Sequence, residues 1–145
     1  MAMVMMLITI TKPKAAFLTT PHLPKFQLDF NLKVRKTSYF PTFQASANSQ
    51  INLSALQEIV NGGVAGTNSS YITITAITGG KIDLKNVTQI SAGSSGNQWV
   101  KVTATDTNSL IDLSKLVDFQ DPYGTDYSTL AVSNSARLLL AANGL

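Results

Sequence analysis

The chain has 145 residues, room for one ordinary domain with a real core. Charged residues make up only 13% and cysteine is absent, which excludes disulfides, thiolate metal sites and a cysteine nucleophile. The net charge of +3 averages unlike parts. Residues 1–50 carry six basic side chains against Asp29 alone, a net +5, whereas residues 51–145 carry five basic and seven acidic ones, a net −2. The repeat-bearing part therefore lacks a basic stripe, and no nucleic-acid partner is expected.

Residues 2–10 are apolar, but Lys12 and Lys14 end the run far short of the ~20 residues that cross a bilayer, so no membrane span is expected. No basic residue precedes the run, as a secretory signal would require. The stretch to residue 47 is basic, acid-poor and dotted with Ser, Thr and four prolines. It resembles an organellar transit peptide, with Gln44-Ala45-Ser46-Ala47 as a small-residue cleavage site. Within it, Phe26, Leu28, Phe30, Leu32 and Val34 alternate strictly with Gln27, Asp29, Asn31 and Lys33, the pattern of a half-buried strand. Residues 1–47 thus read either as a segment whose strand covers one end of the repeats or as a targeting peptide.

Residues 48–132 carry the informative signal, an internal repeat. Ile51-Asn-Leu-Ser-Ala-Leu-Gln-Glu-Ile59 matches Ile82-Asp-Leu-Lys-Asn-Val-Thr-Gln-Ile90 and Ile111-Asp-Leu-Ser-Lys-Leu-Val-Asp-Phe119. Positions 1, 3, 6 and 9 of each block are large and apolar. A turn-rich stretch follows each block, and then a second strand: Tyr71-Ile-Thr-Ile-Thr-Ala76 aligns with Trp99-Val-Lys-Val-Thr-Ala104, and a degraded copy starts at Tyr127. One unit then offers two short strands with inward apolar rows. Ordering about 30 residues at roughly 1–2 kcal/mol each exceeds what fewer than about ten buried apolar side chains return at ~1.5–3 kcal/mol apiece. A lone unit is unstable, and stacking is the remedy.

The expected fold class is all-β: a short parallel β-solenoid (β-helix) of about three coils, with an N-terminal capping strand and a short C-terminal helical cap. Ile51, Ile82 and Ile111 should form one interior column. The cap is assigned to residues 133–145, where Ala136-Arg-Leu-Leu-Leu-Ala-Ala142 favours helix and Asn143-Gly144 stops it. A β-sandwich is the alternative architecture. The Ile-Asp-Leu-Ser/Lys blocks alternating with Thr-rich strands resemble, over about residues 49–132, the repeats of bacterial surface and filamentous-haemagglutinin-like adhesins. That resemblance implies a secreted or surface-displayed rod with structural or adhesive work, or a segment of a longer surface protein.

Chemistry is sparse. His22, the sole histidine, lies between Pro21 and Pro24, away from the repeats. Asp118, Asp121 and Asp126 do not have EF-hand spacing, and Gly62-Gly63 and Gly79-Gly80 lack the lysine of a phosphate loop. Asn52, Asp83 and Asp112 should share one outward column, which reads either as a carboxylate pair for glycosidic or calcium chemistry or as a solvated ladder offset by Lys81 and Lys85. Tyr71, Trp99 and Tyr127 start the second strand of each unit. Interior corners are their expected place, and a flat surface for sugar rings is the alternative. The candidate ligand-binding residues are therefore Tyr71, Trp99, Tyr127, Asp83 and Asp112, with no catalytic residue, metal site or cofactor. The expected function is non-catalytic. The alternatives are a carbohydrate-binding or polysaccharide-active β-helix and an organellar accessory protein. Carbohydrate or protein surfaces and end-to-end self-association are the expected partners, and the cell surface or exterior the expected location.

Overall fold

The computed structural model describes residues 7–10, 32–34, 42–61, 70–93, 98–122 and 128–143. Those residues form strands and turns, with no helix among them. In chain order come β1 (Leu7–Ile10), β2 (Leu32–Val34) and β3 (Thr42–Ala45). The first block holds β4 (Gln50–Asn52) and β5 (Glu58–Asn61), and β6 (Ser70–Ala76) follows. The second holds β7 (Lys81–Asp83) and β8 (Gln89–Ser91), before β9 (Gln98–Ala104). The third holds β10 (Leu110–Leu113) and β11 (Asp118–Gln120), before β12 (Thr129–Val132) and β13 (Arg137–Leu140).

All strand pairs are parallel, in three sheets. The first sheet is ordered β1-β3-β6-β9-β12, the second β4-β7-β10-β13 and the third β2-β5-β8-β11. From β3 onward the chain visits first, second and third sheet in fixed rotation. Each nine-residue block therefore spans two sheets, and a unit contains three strands where the sequence suggests two. The cause is a tight turn inside the block. Leu56 N donates to Leu53 O, Val87 N to Leu84 O and Leu116 N to Leu113 O, each at 2.9 Å. Positions 3 and 6 of the block thus flank a corner, and both still face inward.

A second corner joins the first sheet to the second. Consecutive residues with positive φ, Ala47 and Asn48 (51° and 63°), Thr78 and Gly79 (51° and 78°) and Asn134 and Ser135 (52° and 63°), build type I′-like turns. They are closed by Ser49 N to Ser46 O, Gly80 N to Ile77 O and Ala136 N to Ser133 O. Asp106–Ser109 makes the same corner with one residue more, so Ala104 and Ile111 are seven apart where Ala76 and Ile82 are six apart. Gly80 is obligatory, because a Cβ there would run into the Ala45 carbonyl.

The three sheets enclose one apolar core of in-register columns. Ile51, Ile82 and Ile111 stack as expected, and Leu138 extends the column. Phe43, Ile74, Val102 and Leu130 form another, and Ala45, Ala76, Ala104 and Val132 a third. Ile59, Ile90 and Phe119 run along the third sheet. Middle-rung members of these columns are fully buried.

Both ends differ in detail from the sequence reading. Leu32–Val34 pairs with Ile59–Asn61 at the edge of the third sheet, while Phe26–Asn31 lies outside the described residues. Leu7–Ile10 pairs with Thr42–Ala45, so parts of residues 1–47 belong to the sheets. The expected C-terminal helical cap over Ala136–Ala142 is corrected to a strand: Arg137–Leu140 pairs with Leu110–Leu113 and does not lie across the end. Seven residues repay helix nucleation poorly, whereas the open edge of β10 offers a full ladder and seats for Leu138 and Leu140.

Candidate functional site

The outer face of the first sheet carries the aromatic residues. In β6 and β9, Ile72, Ile74, Val100 and Val102 point inward, so period-two alternation turns Tyr71 and Trp99 outward, where they are half-buried. The interior-corner placement expected for them is therefore corrected. The pleat decides it, because the residues beside them already fill the core. Tyr71 is in register with Trp99, and their rings stack with centroids 4.8 Å apart and planes 9° from parallel. Lys101 Nζ lies over the indole, 5.2 Å from its centroid. Tyr127 lies outside the described residues. Each ring gives one face to the other and Lys101 lies over the indole, which reduces the aromatic face left for a sugar ring. Thr73, Thr75 and Thr103 continue the same outer face along the two strands.

The Asn52, Asp83 and Asp112 column exists in register on the second sheet. Each member caps the corner of its own block. Asn52 Oδ1 accepts from Ser54 N at 2.9 Å, Asp83 Oδ1 from Lys85 N at 3.1 Å and Asp112 Oδ1 from Ser114 N at 3.0 Å. These are Asx-turns, in which a side-chain oxygen accepts the backbone N–H two residues on. Lys85 Nζ adds an ion pair 3.5 Å from Asp83 Oδ2. That Asn52 serves the first corner as well as the aspartates serve the others shows that the column needs an acceptor, not a charge.

The next corner column is polar too. Asn86 Nδ2 donates to Ser54 O, and Lys115 Nζ to Asn86 Oδ1, linking three successive units. Along the other corner, an open groove of about 440 Å³ is lined by Asn48, Gly79, Lys81, Ser109 and Arg137 among others. Lys81 and Arg137 stand two rungs apart with Leu110 between them, and Asp83 and Asp112 occupy the adjacent outward column. The groove lining thus carries two cations and no acidic side chain.

One polar group escaped the sequence reading. Gln98 is only 1% exposed, and neither polar atom of its amide has a hydrogen-bond partner among the described residues. It sits where the third sheet meets the first, against Gly93, whose Cβ position its Oε1 would occupy. Buried Asn61, at the end of β5, donates from Nδ2 to Trp99 O at 3.1 Å. The available signal was phase: Gln98 shares the inward alternation of Val100 and Val102. No group of three or more His, Cys, Asp or Glu able to hold a metal occurs among the described residues, and His22 and Asp126 lie outside them. No helix among them is long and apolar enough to cross a membrane.

No protein-family model, curated protein or solved structure matches the chain.

Proposed function

We propose that this chain is a short parallel β-solenoid segment whose work is structural: a rigid stack that presents its faces at a surface. The observation that carries this reading is the repeated use of polar columns by the fold itself. Asn52, Asp83 and Asp112 each close their own corner, and Tyr71 and Trp99 stack on one another. The fixed rotation of strands among three parallel sheets supports the solenoid architecture. Pairing of β1 and β2 within the sheets favours residues 1–47 as a retained N-terminal cover over a removed targeting peptide. An adhesin-like role at the cell surface follows from the repeat resemblance, with the Thr-rich outer face of the first sheet as the surface for weak contacts with carbohydrate or protein.

Native-state hydrogen exchange tests the reading. In a single stack, the amides of β6, β7 and β8 exchange together and slowest, because each has a neighbour on both sides. Independent exchange of the three sheets would sink the solenoid. Turnover of any polysaccharide, lost on Asp83→Asn, would sink the structural role.

A further inference from the structure

We propose that the groove along the corner between the first and second sheets binds a linear oligosaccharide that carries carboxylates, a polyuronate. The inference rests on the stacked rungs of the solenoid reading. It does not use the Thr-rich face on which that reading places its surface contacts.

Charge that the fold leaves unspent marks the place. Beyond residue 50 the chain has five basic side chains. Lys85 pairs with Asp83, Lys115 Nζ donates to Asn86 Oδ1, and Lys101 lies over Trp99. The other two are Lys81 and Arg137. Both are exposed, both line this groove, and neither side chain makes an ion pair or hydrogen bond among the described residues. The nearby acids stay outside the lining. Asp83 Oδ1 and Asp112 Oδ1 accept from Lys85 N and Ser114 N, farther along their blocks, and Asp106 Oδ1 accepts from Asn134 Nδ2 at 3.4 Å.

Register sets the shape of the ligand. Lys81, Leu110 and Arg137 occupy consecutive rungs of one outward column. Two strand spacings hold the backbones of the two cations roughly 9–10 Å apart along the stack. A chain laid along that axis meets a cation, an aliphatic floor and a second cation. The guanidinium fork of Arg137 matches a carboxylate, and Lys81 supplies a point charge for another. Exposed Asn48, Thr107, Asn108 and Ser135 form the walls, the middle two from the longer third turn. Amides and hydroxyls of this kind pair with sugar hydroxyls, while Leu110 seats the apolar face of a ring. No aromatic ring lines the groove among the described residues, so a single-stranded nucleic acid would lose its base stacking. A peptide would find Leu110 as its one large apolar contact there.

Titration of the full chain with tetragalacturonate, followed by amide NMR shifts, tests the site, with circular dichroism on the same samples. The amides of Lys81, Ser109, Leu110 and Arg137 should shift together and saturate, and added salt should weaken the binding. Lys81→Ala and Arg137→Ala should each weaken it about fivefold with the β signal and melt unchanged. Lys115→Ala, which removes a cation outside the groove, should leave it as it was. Neutral maltotetraose at the same concentration should shift none of these amides. Equal shifts with maltotetraose, or binding indifferent to both groove variants, overturn the proposal. Tighter binding of an oligothymidylate at the same amides overturns it in favour of a phosphate polymer. Absence of any shift, with a native β signal, removes the groove and leaves the solenoid standing. A free chain without a cooperative β melt overturns stack and groove together.

Discussion

Trp99 lies beside Tyr71 on the outer face of the first sheet, its ring centroid 4.8 Å away, a separation close to the spacing of adjacent strands. The stack is therefore a product of register: two parallel strands paired residue for residue hold their aromatics face to face. It links the first and second units on the side of the molecule where the strands are longest.

A double-mutant cycle on Tyr71→Ala and Trp99→Ala should return a coupling of about 0.5–1.5 kcal/mol. Trp99 is the sole tryptophan, so its fluorescence reports the site directly. Tyr71→Ala should alter that emission, whereas added soluble oligosaccharides should leave it unchanged. Saturable quenching by a sugar would restore the sugar-platform reading.

The Asx column discriminates between an acceptor and a charge. Asp83→Asn should change stability by less than about 0.5 kcal/mol, because Asn52 makes the same bond one rung away. Asp83→Ala removes the acceptor for Lys85 N and should cost about 1 kcal/mol. Urea midpoints of the two variants give the comparison.

Position along a core column sets the cost of an apolar truncation. Leu84 is fully buried in the middle of the stack, whereas Leu140 at the last rung is 38% exposed. Leu84→Ala should cost about 2–5 kcal/mol, and Leu140→Ala less than half as much. Leu84→Asp should unfold the middle unit and both neighbours, because it buries an unpaired charge where no unit stands alone. Thermal melts monitored by circular dichroism read all three.

The two adjacent glycines should separate under substitution. Gly80→Ala drives a methyl group into the Ala45 backbone and should be severely destabilising, by more than about 2 kcal/mol. At Gly79, φ is 78° and the obstacle is the end of the Asn48 side chain, which can rotate away, so Gly79→Ala should cost about 1 kcal/mol. Equal losses would show that the turn, not the close approach, limits this corner.

Gln98 offers a gain. Replacing its buried, unpartnered amide with a side chain of similar length removes a desolvation penalty of about 1–3 kcal/mol. Gln98→Met should therefore raise the urea midpoint at unchanged slope. A fall would mean that the amide is satisfied in solution by an internal water.

Much of the architecture was legible in the residues themselves. Recurrence of Ile51, Ile82 and Ile111 with their Leu partners fixed the units, and period-two alternation assigned inward and outward faces in β6, β7 and β9, because identical local patterns impose identical local packing. The number of sheets was not legible. Apolar residues at positions 3 and 6 of a block look the same whether the chain runs straight or turns a corner between them. Only the bonds from Leu56 N to Leu53 O and its two counterparts make that corner. The aspartate column was placed correctly on the outer face, but its role as a turn acceptor depends on where the backbone bends. Arg137–Leu140 shows the limit most clearly. Local propensity favours helix there, and the choice passes to the free edge of β10, a partner remote in sequence that supplies a ladder of hydrogen bonds and two vacant core columns.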